Sequence, residues 1–75
     1  MLEKKIRLEA FEDVREFVQA ASRCSYDVDI SYNRMVIDAK SILGVMCLDR
    51  TKDLTVQYRP EDKALEKVLS KFSVA

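Results

Sequence analysis

Hydrophobic positions along the chain change their period several times, and each change marks a new element. Near the N-terminus Ile6 and Leu8 alternate with charged residues, which predicts a short first strand. A period of three and four residues follows over roughly residues 10–23, as on one face of a helix. The apolar positions of this helix are Phe11, Val14, Phe17, Val18 and Ala21. The first part of the chain is therefore predicted as a strand followed by an amphipathic helix.

Two strands joined by a tight turn are predicted next. Apolar and polar residues alternate from Tyr26 to Tyr32, which is typical of a strand buried on one face. Asn33-Arg34 follows, and asparagine favours a hairpin turn because it tolerates positive φ. Met35–Ile37 is then the returning strand.

Ser41 stands at the head of the most apolar stretch of the chain. Residues 42–48 predict a short second helix that contains the single glycine, Gly44. A serine at the N-cap accepts a hydrogen bond from a free backbone N–H of the first turn. A helix that is apolar nearly all round either lies deep in a core or exposes apolar side chains to a partner. We expect a mixture of the two.

A fourth strand and a last helix complete the pattern. Leu54, Val56 and Tyr58 alternate with polar residues after a polar turn at residues 49–53. Pro60 suits the first position of a helix, where its missing N–H costs nothing. The inner stripe of this helix comprises Ala64 or Leu65, then Val68, Leu69 and Phe72. The order β-α-β-β-α-β-α predicts an α+β protein with one antiparallel sheet and helices packed on one face.

Composition narrows the range of functions. The 75 residues are sufficient for a single domain, residues 1–75, and its 13 basic and 13 acidic side chains cancel, so nucleic acid is not an expected partner. There is no histidine, and Cys24 and Cys47 lack metal-ligand spacing, so neither a metal nor another cofactor is expected. Both cysteines are expected to be buried and reduced. The charged N-terminus and short apolar runs predict a soluble, cytoplasmic protein without membrane insertion.

Several segments resemble the histidine-containing phosphocarrier protein (HPr) family of the bacterial sugar phosphotransferase system. Ala39–Met46 resembles the segment around the regulatory serine of that family. Val18-Gln19 and Ala21-Ser22 are similar to the second half of its first helix, and Tyr32-Asn33 to its hairpin turn. The resemblance covers about residues 5–72. It implies an open-faced β-sandwich with the sheet order 1-4-2-3.

The sequence departs from this family at its defining position. The family carries its phosphoryl group on a histidine at the start of the first helix, with an arginine close behind. Counting back from Val18-Gln19 without a gap places Ala10 at the histidine position and Glu12 at the arginine position. A methyl group is no nucleophile, and Glu12 and Asp13 bring negative charge where a phosphate would lie. One such contact at about 4 Å costs roughly 4 kcal/mol at an effective dielectric constant of ~20. No catalytic residue, and no enzyme, is predicted.

The resemblance also implies roles for the second helix. Ser41 corresponds to a phosphorylation site for the serine kinase that acts on the family, with Lys40 as a neighbouring cation. A simple N-cap is the alternative role for this serine, and the two are compatible. In the family, side chains on this helix contribute to a docking surface. The docking residues predicted here are Lys40, Ile42, Leu43 and Met46, and a place in the core is the alternative role for Leu43 and Met46. Phe11, just after the former histidine position, is expected to extend the same surface.

Three hypotheses for function follow. We favour a regulatory or adaptor protein that binds a phosphotransferase-system enzyme, an HPr serine kinase or a transcriptional regulator. The second is a phosphocarrier that uses an unconventional residue: Cys24 or Cys47 as a thiophosphate, or Asp13 or Glu12 as an acyl phosphate. The third is a scaffold or homodimerisation domain that has kept only the fold.

Overall fold

Four strands and three helices form the part of the chain that the computed structural model describes, residues 1–49 and 51–74. The strands are β1 (Leu2–Ile6), β2 (Asp29–Tyr32), β3 (Met35–Asp38) and β4 (Leu54–Tyr58). The helices are α1 (Phe11–Ser22), α2 (Ile42–Met46) and α3 (Lys63–Phe72). Arg50, within the predicted polar turn, and Ala75, the last residue of the predicted domain, lie outside the described residues.

The four strands make one antiparallel sheet in the order β1-β4-β2-β3, which confirms the predicted topology. Alternation along β4 buries Leu54, Val56 and Tyr58, whereas Thr55 and Gln57 between them are only half-buried. The buried side chains face the helices, and the opposite face of the sheet is polar apart from Val36 on the edge strand. The predicted α+β, open-faced architecture is therefore confirmed.

The core lies between the sheet and the helices. Phe17 from α1, Val45 from α2 and Leu69 from α3 are fully buried against the inner face of the sheet. Helix α1 packs against both α2 and α3, so the central helix positions the other two. No helix among the described residues has the length and apolar character that a membrane crossing requires.

The two edges of the sheet differ. The outer edge of β1 is bonded to the C-terminal segment, because the Arg7 N–H donates to the Phe72 carbonyl at 2.9 Å and the Val74 N–H donates to the Lys5 carbonyl at 3.0 Å. Strand β3 forms the other edge, and no described strand pairs with its outer side. Among the described residues, backbone pairing thus covers one edge of the sheet and leaves the β3 edge open.

Strand boundaries differ from the sequence prediction at two places. Strand β1 ends at Ile6 and does not include Leu8, which is nevertheless fully buried. Strand β2 begins at Asp29 rather than at Tyr26, because β4 pairs only with residues 29–31. The turn prediction is confirmed: Tyr32 pairs with Met35, and Asn33 has φ 55°, the left-handed region that asparagine tolerates.

Both of the later helices are shorter than predicted. Helix α2 ends at Met46, with Cys47 as its C-cap. Helix α3 begins at Lys63 and not at Pro60, because Asp62 is its N-cap and accepts a hydrogen bond from the Leu65 N–H at 2.9 Å. Pro60 lies in the preceding turn, in which the Asp62 N–H donates to the Arg59 carbonyl. A carboxylate that satisfies a free N–H of the first turn is a stronger start signal than a proline.

Candidate functional site

The start of α1 contains its own anion. Ala10 is the N-cap residue and has an extended backbone, but its methyl group offers no acceptor. Asp13 supplies the acceptor at this helix start instead, because its Oδ2 accepts a hydrogen bond from the Ala10 N–H at 3.1 Å. Carboxylates are stabilised near the free N–H groups and the positive end of a helix. The position that would attract a phosphate thus already has a carboxylate of the same chain beside it.

Glu12 adds a second negative charge to this first turn. Its side chain is exposed and forms an ion pair with Arg15 at 3.2 Å, one helical turn away. Exposed pairs at this spacing contribute only a few tenths of a kcal/mol, about 0.2–0.5. The Arg15 side chain is therefore directed to Glu12. An anion that approached the first turn from solvent would meet two carboxylates, those of Glu12 and Asp13.

Ser41 begins α2 as predicted. Its Oγ accepts a hydrogen bond from the Gly44 N–H at 3.2 Å, so the N-cap role is confirmed. The side chain is exposed. The hydroxyl therefore both stabilises the helix and remains open to a modifying enzyme.

Lys40, which precedes this serine, is directed elsewhere. It is half-buried, and its Nζ donates to the Cys24 carbonyl at 2.9 Å, just beyond the end of α1. A cation there satisfies a free carbonyl near a helix C-terminus. The predicted neighbouring cation of Ser41 thus links α1 to the loop before α2.

Apolar side chains at the start of α1 and along α2 are exposed. Leu43 is 77% exposed, Phe11 48% and Met46 39%, whereas Ile42 is half-buried against the core. Met46 also lines an open cavity of about 550 Å³ together with Arg7 and Glu9, which lie in the segment leading into α1. We call Phe11, Leu43 and Met46 the docking patch, after the role that the sequence predicts for them. The α1–α2 packing holds its two parts on adjoining elements.

The cysteines are placed differently from the expectation that both are buried. Cys47 is exposed, since it follows the last turn of α2, and Cys24 is half-buried. Burial, together with the Asp62 carboxylate that accepts the Sγ–H at 3.1 Å, raises the pKa of Cys24 to about 11. A thiol with so high a pKa contains little thiolate near neutral pH and is a weak nucleophile.

Asp62 is a polar hub that the sequence analysis missed. Beyond capping α3, it accepts hydrogen bonds from the Cys24 thiol and from the Tyr26 hydroxyl, the latter at 2.8 Å. The guanidinium of Arg59 lies 4.5 Å from the centre of the Tyr26 ring. Asp62 directly before a helical apolar stripe is an N-cap signal that the sequence contains. Its distant partners Cys24 and Tyr26 carry no such signal.

Within the described ranges, no group of three or more cysteine and carboxylate side chains is arranged to hold a metal ion. The candidate features are two helix starts and the docking patch. One helix start has a carboxylate bound to its N-cap N–H, and the other has a serine.

The four-stranded sheet and its three helices define a small open-faced sandwich. Comparison with known proteins gives its family. The family model described as "PTS HPr component phosphorylation site" matches residues 13–73. The chain therefore belongs to the HPr family, whose proteins are phosphocarriers of the phosphotransferase system rather than enzymes. The matched range begins three residues after Ala10.

Solved structures show the same fold. The HPr-C-His structure from Thermoanaerobacter tengcongensis is 24% identical, with a TM-score of 0.71 over 95% of this chain and 93% of that one. The phosphocarrier protein HPr from Bacillus anthracis str. Ames is 22% identical, with a TM-score of 0.63 over 95% of both chains. The histidine-containing phosphocarrier protein of Mycoplasma is 22% identical, with a TM-score of 0.67 over 93% and 86%. A comparison with curated protein sequences gives no match.

Proposed function

We propose that this HPr-family protein is a regulatory or adaptor protein that binds a protein partner through the docking patch, and that it carries no phosphoryl group at the start of α1. The observation on which this depends is the pairing of two features on adjoining helices. Leu43 exposes 77% of its surface, while the neighbouring helix start holds Ala10 bonded to the Asp13 carboxylate. The protein thus has an exposed apolar surface on α2 but no phosphoryl acceptor at the start of α1.

The chemistry of the helix start supports the loss of phosphate transfer. A family phosphocarrier needs a nitrogen nucleophile and a cationic surrounding for the phosphate. Ala10 supplies neither, and the Asp13 carboxylate uses the Ala10 N–H that would otherwise be available to an anion. Cys24 is a poor substitute because its pKa is raised to about 11. The protein is accordingly proposed to be neither a carrier nor an enzyme.

Ser41 is proposed as the control point of the docking patch. Its exposed hydroxyl lies two residues before Leu43, so a phosphate there would place about two negative charges beside the patch. Lys40 donates to the Cys24 carbonyl, so the added charge would remain largely uncompensated. A partner that presents an acidic rim would then be repelled, whereas a basic rim would be attracted.

Family membership directs the search for partners. An enzyme of the phosphotransferase system, an HPr serine kinase or a transcriptional regulator is the proposed partner, and the cytoplasm is the proposed place of action. The phosphotransferase relation supports all three choices.

Docking can be tested by isothermal titration calorimetry with each of these candidate partners. Leu43→Lys is expected to weaken binding at least about fivefold, because truncated or charged central apolar contacts cost more than about 1 kcal/mol. Val36→Lys is the matched control, since Val36 is 63% exposed but belongs to the β3 edge of the sheet. Binding that is unchanged by Leu43→Lys, or reduced equally by both variants, would contradict the proposal.

Phosphate chemistry is tested separately. Incubation with an HPr serine kinase and ATP, followed by mass spectrometry, should add one phosphate that is absent from Ser41→Ala. Incubation with phosphoenolpyruvate and the first enzyme of the phosphotransferase system should leave no acid-labile or thiol-linked label. A label in the second experiment would establish the unconventional carrier instead.

A further inference from the structure

The free edge of the sheet has a self-complementary sequence. Strand β3 runs from Met35 to Asp38, and Arg34 of the hairpin turn directly precedes it, so this edge of the sheet carries Arg-Met-Val-Ile-Asp. Met35 is 51% exposed and Val36 63%. An exposed apolar edge strand with unpaired backbone groups is a template for pairing with another strand. The opposite edge of the sheet is already bonded to the C-terminal segment.

The register shows which backbone groups point outward. The Ala39 N–H donates to the Val28 carbonyl, in line with the pairs Ile37–Ile30 and Met35–Tyr32. Residues 35, 37 and 39 therefore direct their backbone groups to β2, and the N–H and C=O of Val36 face the free edge, because hydrogen-bonding direction alternates along a strand. Val36 is thus the natural centre of a new antiparallel pair.

We propose that β3 pairs antiparallel with β3 of a second copy of this chain, about a two-fold axis at Val36. In this register Arg34 of each copy faces Asp38 of the other, and Met35 faces Ile37. The two Val36 residues exchange backbone hydrogen bonds. A two-fold interface of this kind is isologous, and the same five residues recognise themselves.

The charges within a single copy favour a second copy of the chain as the pairing partner. Asp38 lies directly opposite Asp29 across the β2–β3 pair, so two carboxylates share the outer face, and like charges in such positions repel. No described residue forms an ion pair with Arg34. The pairing brings Arg34 of one copy to the two carboxylates of the other. Four residues per strand make a small contact, well below about 1,000 Å², so the dimer is weak and concentration-dependent.

The test is sedimentation equilibrium of the full chain over a concentration series, with circular dichroism to verify folding. The wild type should show a reversible monomer–dimer equilibrium. Arg34→Asp alone and Asp38→Arg alone should each weaken dimerisation at least about tenfold, since each places like charges opposite one another. An equimolar mixture of the two variants should dimerise again, because every facing pair is then of opposite sign.

Leu43→Lys is the control for a dimer formed through the docking patch and should leave the equilibrium unchanged. Hydrogen exchange on the wild type gives a second measurement that needs no variant: the Val36 amide should become more protected as concentration rises. The inference is overturned by a wild type that stays monomeric up to millimolar concentration, by variants that dimerise as well as the wild type, or by loss of the dimer in Leu43→Lys. These outcomes are independent of the proposed partner binding.

Discussion

At the scale of single residues, Asp62 shows how one side chain joins distant parts of the chain. It caps α3 and receives hydrogen bonds from Cys24 and Tyr26, which follow α1. The Leu65 N–H, with smaller contributions from the thiol and the phenol, lowers the pKa of Asp62. Burial, reinforced by Asp62, raises the pKa of Tyr26 to about 12. At neutral pH the Asp62 carboxylate is therefore charged, and its two side-chain donors, the Cys24 thiol and the Tyr26 hydroxyl, keep their protons.

Asp62→Asn tests this hub, because asparagine is also a good N-cap but has no charge and one acceptor oxygen fewer. We expect a loss of roughly 1–2 kcal/mol in the free energy of unfolding at neutral pH, since hydrogen bonds to a charged group are lost. The pKa of Asp62 is lower in the folded than in the unfolded state. Its stabilisation is thus complete above the unfolded value of about 3.9 and is lost as the pH falls.

Urea unfolding at a series of pH values between neutral and about pH 2 measures this effect. As the pH falls, the free energy of unfolding should decrease less steeply for the variant than for the wild type. Asp27→Asn is the matched control, since Asp27 is exposed. If the free energy of unfolding of Asp62→Asn decreased as steeply at acidic pH as that of the wild type, the pKa of Asp62 would not control the loss of stability in acid.

At the scale of elements, the close approach of α2 to β3 explains the single glycine. A Cβ at Gly44 would lie 2.7 Å from Cγ2 of Ile37 and 3.2 Å from Oγ of Ser41. The first distance is shorter than van der Waals contact allows, so with any side chain at position 44 either Ile37 or α2 has to shift. Gly44 is therefore required by packing, although glycine lowers helix propensity by about 1 kcal/mol relative to alanine.

Gly44→Ala is expected to destabilise the protein by roughly 1 kcal/mol, because overpacking costs about 1–3 kcal/mol and the gain in helix propensity offsets only part of it. The combined change Gly44→Ala with Ile37→Ala removes the methyl group that clashes. A double-mutant cycle from thermal or urea unfolding should therefore show favourable coupling of at least about 0.5 kcal/mol. Purely additive effects would place the cost of Gly44→Ala elsewhere.

At the scale of the whole molecule, the end of α2 lies near the segment before α1, and the start of α2 lies towards the end of α1. The two helix starts are thus separate sites, and their chemistry differs. The α2 start keeps the serine N-cap and the exposed apolar side chains. The α1 start has two carboxylates, from Glu12 and Asp13, in place of a cationic phosphate site. The net charge of zero supplies no general attraction for an anion. Loss of the carrier role is thus proposed to be local, within an unchanged fold.

Rebuilding the carrier site tests this view. Ala10→His alone should accept little phosphoryl group from phosphoenolpyruvate and the first enzyme of the system, because the two carboxylates remain. The triple variant Ala10→His, Glu12→Arg, Asp13→Asn should be labelled at least about tenfold faster, since a cation replaces like charge at the reacting group. Equal labelling of both variants would mean that the missing nucleophile alone accounts for the loss.

Local features could be predicted from the sequence because they depend on neighbours along the chain. The element order follows from apolar periodicity, the hairpin from Asn33, and the start of α2 from Ser41. The sheet order, which periodicity leaves open, came from the resemblance to HPr and is confirmed. Boundaries were less accurate: β2 begins three residues late because β4 pairs with only part of the alternating run.

By itself, the sequence determined the type and order of the elements, the helix cap at Ser41 and the absence of a histidine. Only the tertiary structure decided that Lys40 is directed to the end of α1, that Cys47 is exposed, and that Asp62 contacts Cys24 and Tyr26. It also decided which sheet edge the C-terminal segment covers. Backbone periods and caps are set by residues within one turn or two pleats, whereas these contacts join residues that approach one another only when the helices pack on the sheet.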